Sequence, residues 1–417
     1  LGLSGNNADY GFRDKDNTAF IATLTIFDGA TGAEPNYEFR YHDRLSSYSG
    51  VGPSSNTAEG DRPGTWTIQA FIGVSLLATH ELRVDPDVID RVAFANSTYT
   101  LVAGKTVDFG AATLGLFKPQ LQDKFKNPRV AAQPYSVTLA TVTRAASTLN
   151  DYVAFSSAPD YVVGGRVLAP AFLSTTDTVH IPIDSYQATF YYIDTTASSR
   201  YAPGGGTKPV LGISAAGILA DTQRVVVVAD IIDRIVISTG AGQTLPAGTT
   251  SSAFFLETQD YYGNASPLRL GDDLGLGAVS FNLDSNSSGQ VMFSTPGTGN
   301  FVAAPGTAYL GVGQSATSFY MIDTLLSAPT FQLTIAGLTY PAWLKAVSSY
   351  SVVSGPPSQL GWATLARRLV AGTTIQYEAG VPPNTVVAAR LLDQYGNVTT
   401  SLSTHTIRYD SPLTDNL

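Results

Sequence analysis

The feature that most constrains this chain is a short stretch that it uses three times. "LLDQYGNVTT" runs from Leu391 to Thr400, "ETQDYYGNAS" from Glu257 to Ser266, and "KPQLQDKFKNPRV" from Lys118. Each holds an aspartate, an aromatic residue two positions on and an asparagine four positions on. The trios are Asp393, Tyr395 and Asn397; Asp260, Tyr262 and Asn264; Asp123, Phe125 and Asn127. Gly396 and Gly263 precede the asparagine in two copies, and Lys126 takes that place in the other. A chain that repeats a turn at one point of a longer pattern repeats the domain around it. The turn has a mechanism. An aspartate accepts backbone N–H bonds, as in Asx turns, and glycine and asparagine tolerate positive φ. Lys126 must therefore use another backbone shape or carry strain. Asp123, Asn127, Asp260, Gly263, Asn264, Asp393, Gly396 and Asn397 are read as structural turn residues, and Tyr395 as a ring laid over the end of its own core. A weaker copy aligns Asp28 with Asp393 and lacks the aromatic and the asparagine.

Other landmarks recur in the same order. "VIDRVAF" at Val88 matches "IIDRIVI" at Ile231, and "TFYYIDT" at Thr189 matches "SFYMIDT" at Ser318. "LVAGKT" at Leu101, "LPAGTT" at Leu245 and "LVAGTT" at Leu369 each precede a strand-like run. The apolar alternation has period two, the runs are short, and Gly, Pro, Asn and Ser punctuate them. No long run has a helical period. The pattern predicts an all-β chain of sandwiches in series. The expected boundaries are 1–86, 87–229 with insertions, 230–353, and 354–417 as the first half of a fourth repeat. The largest insertion is "DYVAFSSAPDYVVGGRVLAPAFL" from Asp151.

The segments Ala371–Thr399 and Ala247–Ala265 resemble the bacterial immunoglobulin-like repeats of invasin- and intimin-type surface proteins. Those repeats carry Ala-Gly before a strand and an Asp-x-Tyr/Asn-Gly-Asn turn after it. The resemblance implies tandem immunoglobulin-like β-sandwiches in an elongated array. It also implies the roles such repeats serve outside the cell: stalks, adhesins, layers and filaments.

Composition narrows the partners. The 417 residues are 44% hydrophobic and 14% charged, enough apolar material for packed interiors. The net charge is −9 and no basic cluster occurs, which argues against nucleic acid as a partner. No apolar stretch approaches the length of a membrane span, so the chain is not expected to be membrane-embedded. With no cysteine, disulfides, thiolate metal sites and a cysteine nucleophile are excluded.

Catalytic motifs are missing. The histidines, His42, His80, His180 and His405, have no ligand or carboxylate at a recognisable spacing and read as strand-surface residues. There is no nucleophile elbow, P-loop or zinc helix, and no enzyme activity is expected. Calcium is the one candidate cofactor. Asp85, Asp87 and Asp90 crowd the first junction, and Asp230 and Asp233 the second. Carboxylates at a joint are candidates to bind Ca²⁺ and stiffen it. The alternative is that Asp90 and Asp233 pair with Arg91 and Arg234 or cap turns. Trp66, Trp343 and Trp362 lie at or near repeat ends, where the alternatives are sugar-binding platforms and, as is usual for large aromatics, the filling of a core or a junction.

The expected function is structural: an extracellular subunit or segment of a bacterial surface layer, filament or stalk, with copies of itself as partners. An adhesin presenting a host- or glycan-binding surface and a phage or virion decoration protein are the alternatives. The fourth repeat reaches Leu417 midway through its pattern. Either these residues are a window on a longer chain, or the start of one copy completes the end of the next by strand addition at Thr406–Tyr409.

Overall fold

A computed structural model describes residues 10–14, 20–21, 39–43, 66–72, 75–82, 84–106, 109, 114–143, 152–158, 175–198, 209–269, 278–296, 299–327, 329–365, 387–401, 403–404 and 406–408. All regular elements among them are β-strands, and no helix among them is long and apolar enough to cross a membrane. The chain divides into two compact units, Leu1–Val228 and Ala229–Leu417.

The second unit contains the most complete sandwich. One sheet orders the strands Arg234–Thr239, Phe254–Gln259, Ala316–Ile322, Met292–Ser294 and Val302–Ala303. The facing sheet orders Thr244–Pro246, Ala346–Val353, Phe331–Gly337, Ala278–Ser285 and Gly306–Gly311. Within the sheets, pairing is antiparallel except where Thr244–Pro246 runs parallel to Ser351–Val353. The alternation read from the sequence is the alternation of burial: Phe254, Leu256 and Thr258 point inward along one strand, Val279, Phe281 and Leu283 along another. Phe254 stacks on Phe319 with ring centroids 5.2 Å apart. Each such buried side chain contributes about 1.5–3 kcal/mol by leaving water.

The sandwich of the first unit repeats this plan with interruptions. Ile89–Phe94 pairs with Pro119–Asp123, as Arg234–Thr239 pairs with Phe254–Gln259. Thr100–Val102 runs parallel to Val226–Val228, as Thr244–Pro246 does to Ser351–Val353. Phe117 and Phe190 stack at 5.1 Å in its core. The region read as an insertion from Asp151 begins with a strand of the sandwich itself: Val153–Ser156 pairs with Tyr191–Asp194. In the same unit, Tyr10–Asp14 pairs with Phe39–Asp43 and Trp66–Ile72 with Ser75–Leu82. The architecture is that of immunoglobulin-like β-sandwiches in tandem.

At the end of the second unit, Gln359–Trp362 pairs with Ala389–Leu392 to begin a further sandwich. Asp28, the Ala371-Gly372 landmark, His405 and Tyr409 lie outside the described residues.

Candidate functional site

The three turns share one geometry. Asp393 Oδ1 accepts the N–H groups of Tyr395 and Asn397, each at 2.9 Å. Its Oδ2 accepts the Asn397 side-chain amide at 2.9 Å and the backbone N–H of Gly355, also at 2.9 Å. Asp260 takes the same bonds from Tyr262, Asn264 and Asp230, and Asp123 from Phe125, Asn127 and Asp87. Gly355, Asp230 and Asp87 lie at the starts of their repeats, 38, 30 and 36 residues before the aspartate that holds them. Thus one carboxylate oxygen closes the turn and the other clamps the chain where it enters the domain.

The remainder of the joint is held as consistently. Thr399 Oγ1 donates to Gly355 O at 2.7 Å, Arg269 Nη2 to Ala229 O at 2.8 Å and Arg129 Nη1 to Pro86 O at 2.9 Å. Asp123, Asp260 and Asp393 are all buried. An ionised carboxylate has about four acceptor directions, and the four donors use them. The chemistry available to each turn aspartate is therefore to hold backbone.

Backbone conformation follows the residues. Gly263 has φ 77° and Gly396 φ 89°, and Lys126 takes φ 72° at the matching position. Of the alternatives open to Lys126, the structure uses the strained one.

Tyr395 corrects the expectation that its ring covers its own core. It lies instead on Gly248 of the preceding sandwich, where an added Cβ would meet the phenol ring and hydroxyl, and it stays 40% exposed. Asn397 reaches the same sandwich. Its side-chain amide donates to Thr324 O at 2.8 Å, and its Oδ1 accepts the N–H of Leu326 at 3.0 Å. The turn of the fourth repeat is thus plugged into a socket on the third.

The socket explains two of the recurring landmarks. Gly248, at φ 72°, donates its N–H to Asp323 O at 2.9 Å. Asp323 Oδ1 accepts Leu325 N–H, and its Oδ2 accepts the Tyr350 hydroxyl at 2.7 Å. Burial and Asp323 together push the Tyr350 hydroxyl pKa up, so it remains a donor. In the first unit Gly104, also at φ 72°, donates to Asp194 O. There Asp194 accepts Thr196 N–H and the Tyr192 hydroxyl. Ala-Gly and Ile-Asp-Thr recur because they build this surface. Sequence reading registered their recurrence without giving them a role.

The aspartates expected to gather calcium at the junctions are engaged differently. Asp87 Oδ2 lies 2.9 Å from Lys124 Nζ, and that bond is the main reason its pKa is lowered. Asp90 lies 3.4 Å from Arg91 and Asp233 3.0 Å from Arg234. Asp230 gives its N–H to Asp260, its carbonyl oxygen accepts the Ser266 hydroxyl, and Asp85 is exposed. Among the described residues no three His, Asp or Glu side chains converge as a metal ligand set. Calcium needs six or more oxygens, and carboxylates already paired with cations supply them poorly. Of the tryptophans, Trp343 stacks on Tyr340 beside the core, while Trp362 is 59% exposed rather than buried in a joint. His80 and His180 are exposed strand residues.

No protein-family model matches the chain, and no curated protein does. Some solved structures are similar to it, at low scores. It is similar to surface layer protein SbsC, domains 1-6, at 13% identity and a TM-score of 0.21, covering 78% of this chain and 46% of that one. The chain thus spans about half the length of that structure. It is also similar to InvD of Yersinia pseudotuberculosis, at 14% identity and a TM-score of 0.30, covering 74% and 71% of the two chains. A third likeness is to CBD12 from CALX1.2, at 13% identity and a TM-score of 0.20, covering 59% and 79%.

Proposed function

We propose that this chain is a structural, extracellular segment of a bacterial surface layer, filament or stalk, working through a joint of fixed geometry between its third and fourth repeats. The observation that carries this reading is the plug and socket: Tyr395 on Gly248, with Asn397 bonded to Thr324 and Leu326. Loose linkers between domains are exposed and rich in small polar residues, and few contacts cross them. Here the linker is held by a buried carboxylate and the next domain's turn is bonded to the previous domain's end. Such a joint resists bending, which a load-bearing segment needs and a soluble catalyst does not. No catalytic residue is assigned, since the turn aspartates spend their acceptors on backbone. Copies of the same chain are the partners in this reading.

Low-dose imaging of the native material tests it. A lattice, fibre or row of straight stalks is the expected result. Discrete soluble particles with an associated catalytic activity would contradict it.

A further inference from the structure

The first unit's sandwich has a cleft beside Arg91. The backbone bonds Val92 N–H to Leu219 O and Ile235 N–H to Leu344 O superpose the two sandwiches residue by residue. Arg91 then matches Arg234, Lys124 matches Tyr261, Lys126 matches Gly263, and Asp221 matches Ala346.

Three of those four positions have changed character. In the second unit Arg234 Nη2 donates to Tyr261 O at 3.0 Å, and its guanidinium lies 5.9 Å from the Tyr261 ring centroid. In the first unit Lys124 replaces that tyrosine and turns to Asp87. Arg91 lies 3.4 Å from Asp90, long for a charge-assisted bond. Beside it opens a cleft of about 280 Å³, lined by Arg91, Phe94, Gln122, Lys126, Ala220 and Asp221 among others.

Lys126 is the decisive residue. It sits at φ 72° where the matching turns use glycine, a conformation that costs a side-chain-bearing residue roughly 1 kcal/mol or more. Lys126 is exposed and lines the cleft together with Arg91. Strain of this kind collects where a side chain has work to do.

We propose that this cleft binds the carboxylate of a single acidic sugar residue. Arg91 offers a planar fork and Lys126 a point charge to the carboxylate. Asp221 Oδ2 accepts Phe94 N–H at 3.0 Å and its Oδ1 accepts Thr222 N–H at 2.8 Å, leaving each oxygen a second lone pair for a ring hydroxyl. Gln122 supplies a further polar edge and Ala220 a small apolar surface, while the Phe94 ring packs inward against Phe117 and Phe190. The volume suits one six-membered ring rather than a long oligomer.

The test is an amide NMR titration of the full chain with D-galacturonate, D-galactose and acetate. Galacturonate is expected to shift the amides around Arg91, Gln122 and Lys126, with acetate weaker and galactose without effect. Lys126→Gly, which restores the glycine of the other turns and so preserves the fold, should weaken galacturonate binding about tenfold, as should Arg91→Gln. No shift with galacturonate, equal binding of galactose, acetate binding as tightly as galacturonate, or unchanged binding in Lys126→Gly would each overturn the proposal.

Discussion

The ring of Tyr395 occupies the space where a side chain on Gly248 would have to be. The two residues belong to successive sandwiches, so a methyl group on one displaces the other. Gly248 also has φ 72°, which strains any other residue. Gly248→Val should therefore undock the turn and cost about 2 kcal/mol. Tyr395→Ala should loosen the joint while leaving the third sandwich's own core intact. Denaturant unfolding followed at Trp343, which packs beside that core, separates the two: a shift for Gly248→Val and little change for Tyr395→Ala.

The clamp makes a second prediction. Asp393→Ala leaves the N–H groups of Gly355, Tyr395 and Asn397 without their acceptor in a buried setting. A loss of about 2–4 kcal/mol is expected in the unfolding of the last repeat. Asp260→Ala should cost at least as much in the third. Losses below about 0.5 kcal/mol at both positions, measured by chemical denaturation, would show that the clamp is ornamental.

Acid should separate the two turns. For Asp393 burial opposes ionisation, but the Asn397 amide and the N–H groups of Gly355, Asn397 and Tyr395 outweigh it and lower the pKa. For Asp260 burial wins over the same kind of donors and raises it. Its neighbour Tyr262 is buried where Tyr395 is half-exposed, so Asp260 is further from water. The signs follow from linkage. Asp393 contributes stability that is complete above the ordinary aspartate pKa of about 3.9 and fades as pH falls through its lower folded value. Asp260 withdraws stability above its raised folded pKa and gives it back as pH falls towards the ordinary value. Carboxyl-carbon NMR should find Asp393 titrating below the ordinary aspartate range and Asp260 above it. The reverse order would contradict the assignment of causes.

Much of this was legible in the sequence. The Asp, aromatic and Asn spacing announced a turn and the period-two runs announced strands, while Lys126 in a glycine position left open either strain or another backbone shape. Two things were hidden. The second oxygen of each turn aspartate reaches 30 to 38 residues back along the chain, a distance no local pattern encodes. The socket is assembled from Gly248 and the Asp323–Leu326 loop, which touch only after two strands have paired. Their recurrence was visible, but a recurring residue shows that it is needed and not what it meets. The aspartate clusters suggested calcium, with pairing of Asp90 to Arg91 and Asp233 to Arg234 as the alternative; the structure has those pairs, and Asp87 with Lys124 as well.

Metal removal follows from that. With Asp87 paired to Lys124 and Asp233 to Arg234, a calcium chelator should leave the melting temperature where it is. A fall of several degrees on chelation, reversed by added calcium, would bring Asp85, Asp87, Asp90, Asp230 and Asp233 back as ligands.

Relief of strain should be measurable in Lys126→Gly. The backbone gains a residue suited to φ 72°, and the unfolded chain gains some entropy in return. A net stabilisation of about 0.5–1 kcal/mol of the first unit's sandwich is expected by denaturant unfolding, and a net loss would mean that the lysine side chain carries packing of its own.

The central claim is that the turn of one repeat fixes its position on the repeat before it, and distance distributions between spin labels test this most directly. The chain has no cysteine, so cysteines introduced at the exposed Gln332 and Thr400 label the third and fourth repeats alone. A single narrow distance in the full chain, broadened by both Tyr395→Ala and Gly248→Val, is the predicted result. A broad distribution that neither substitution changes would contradict the account.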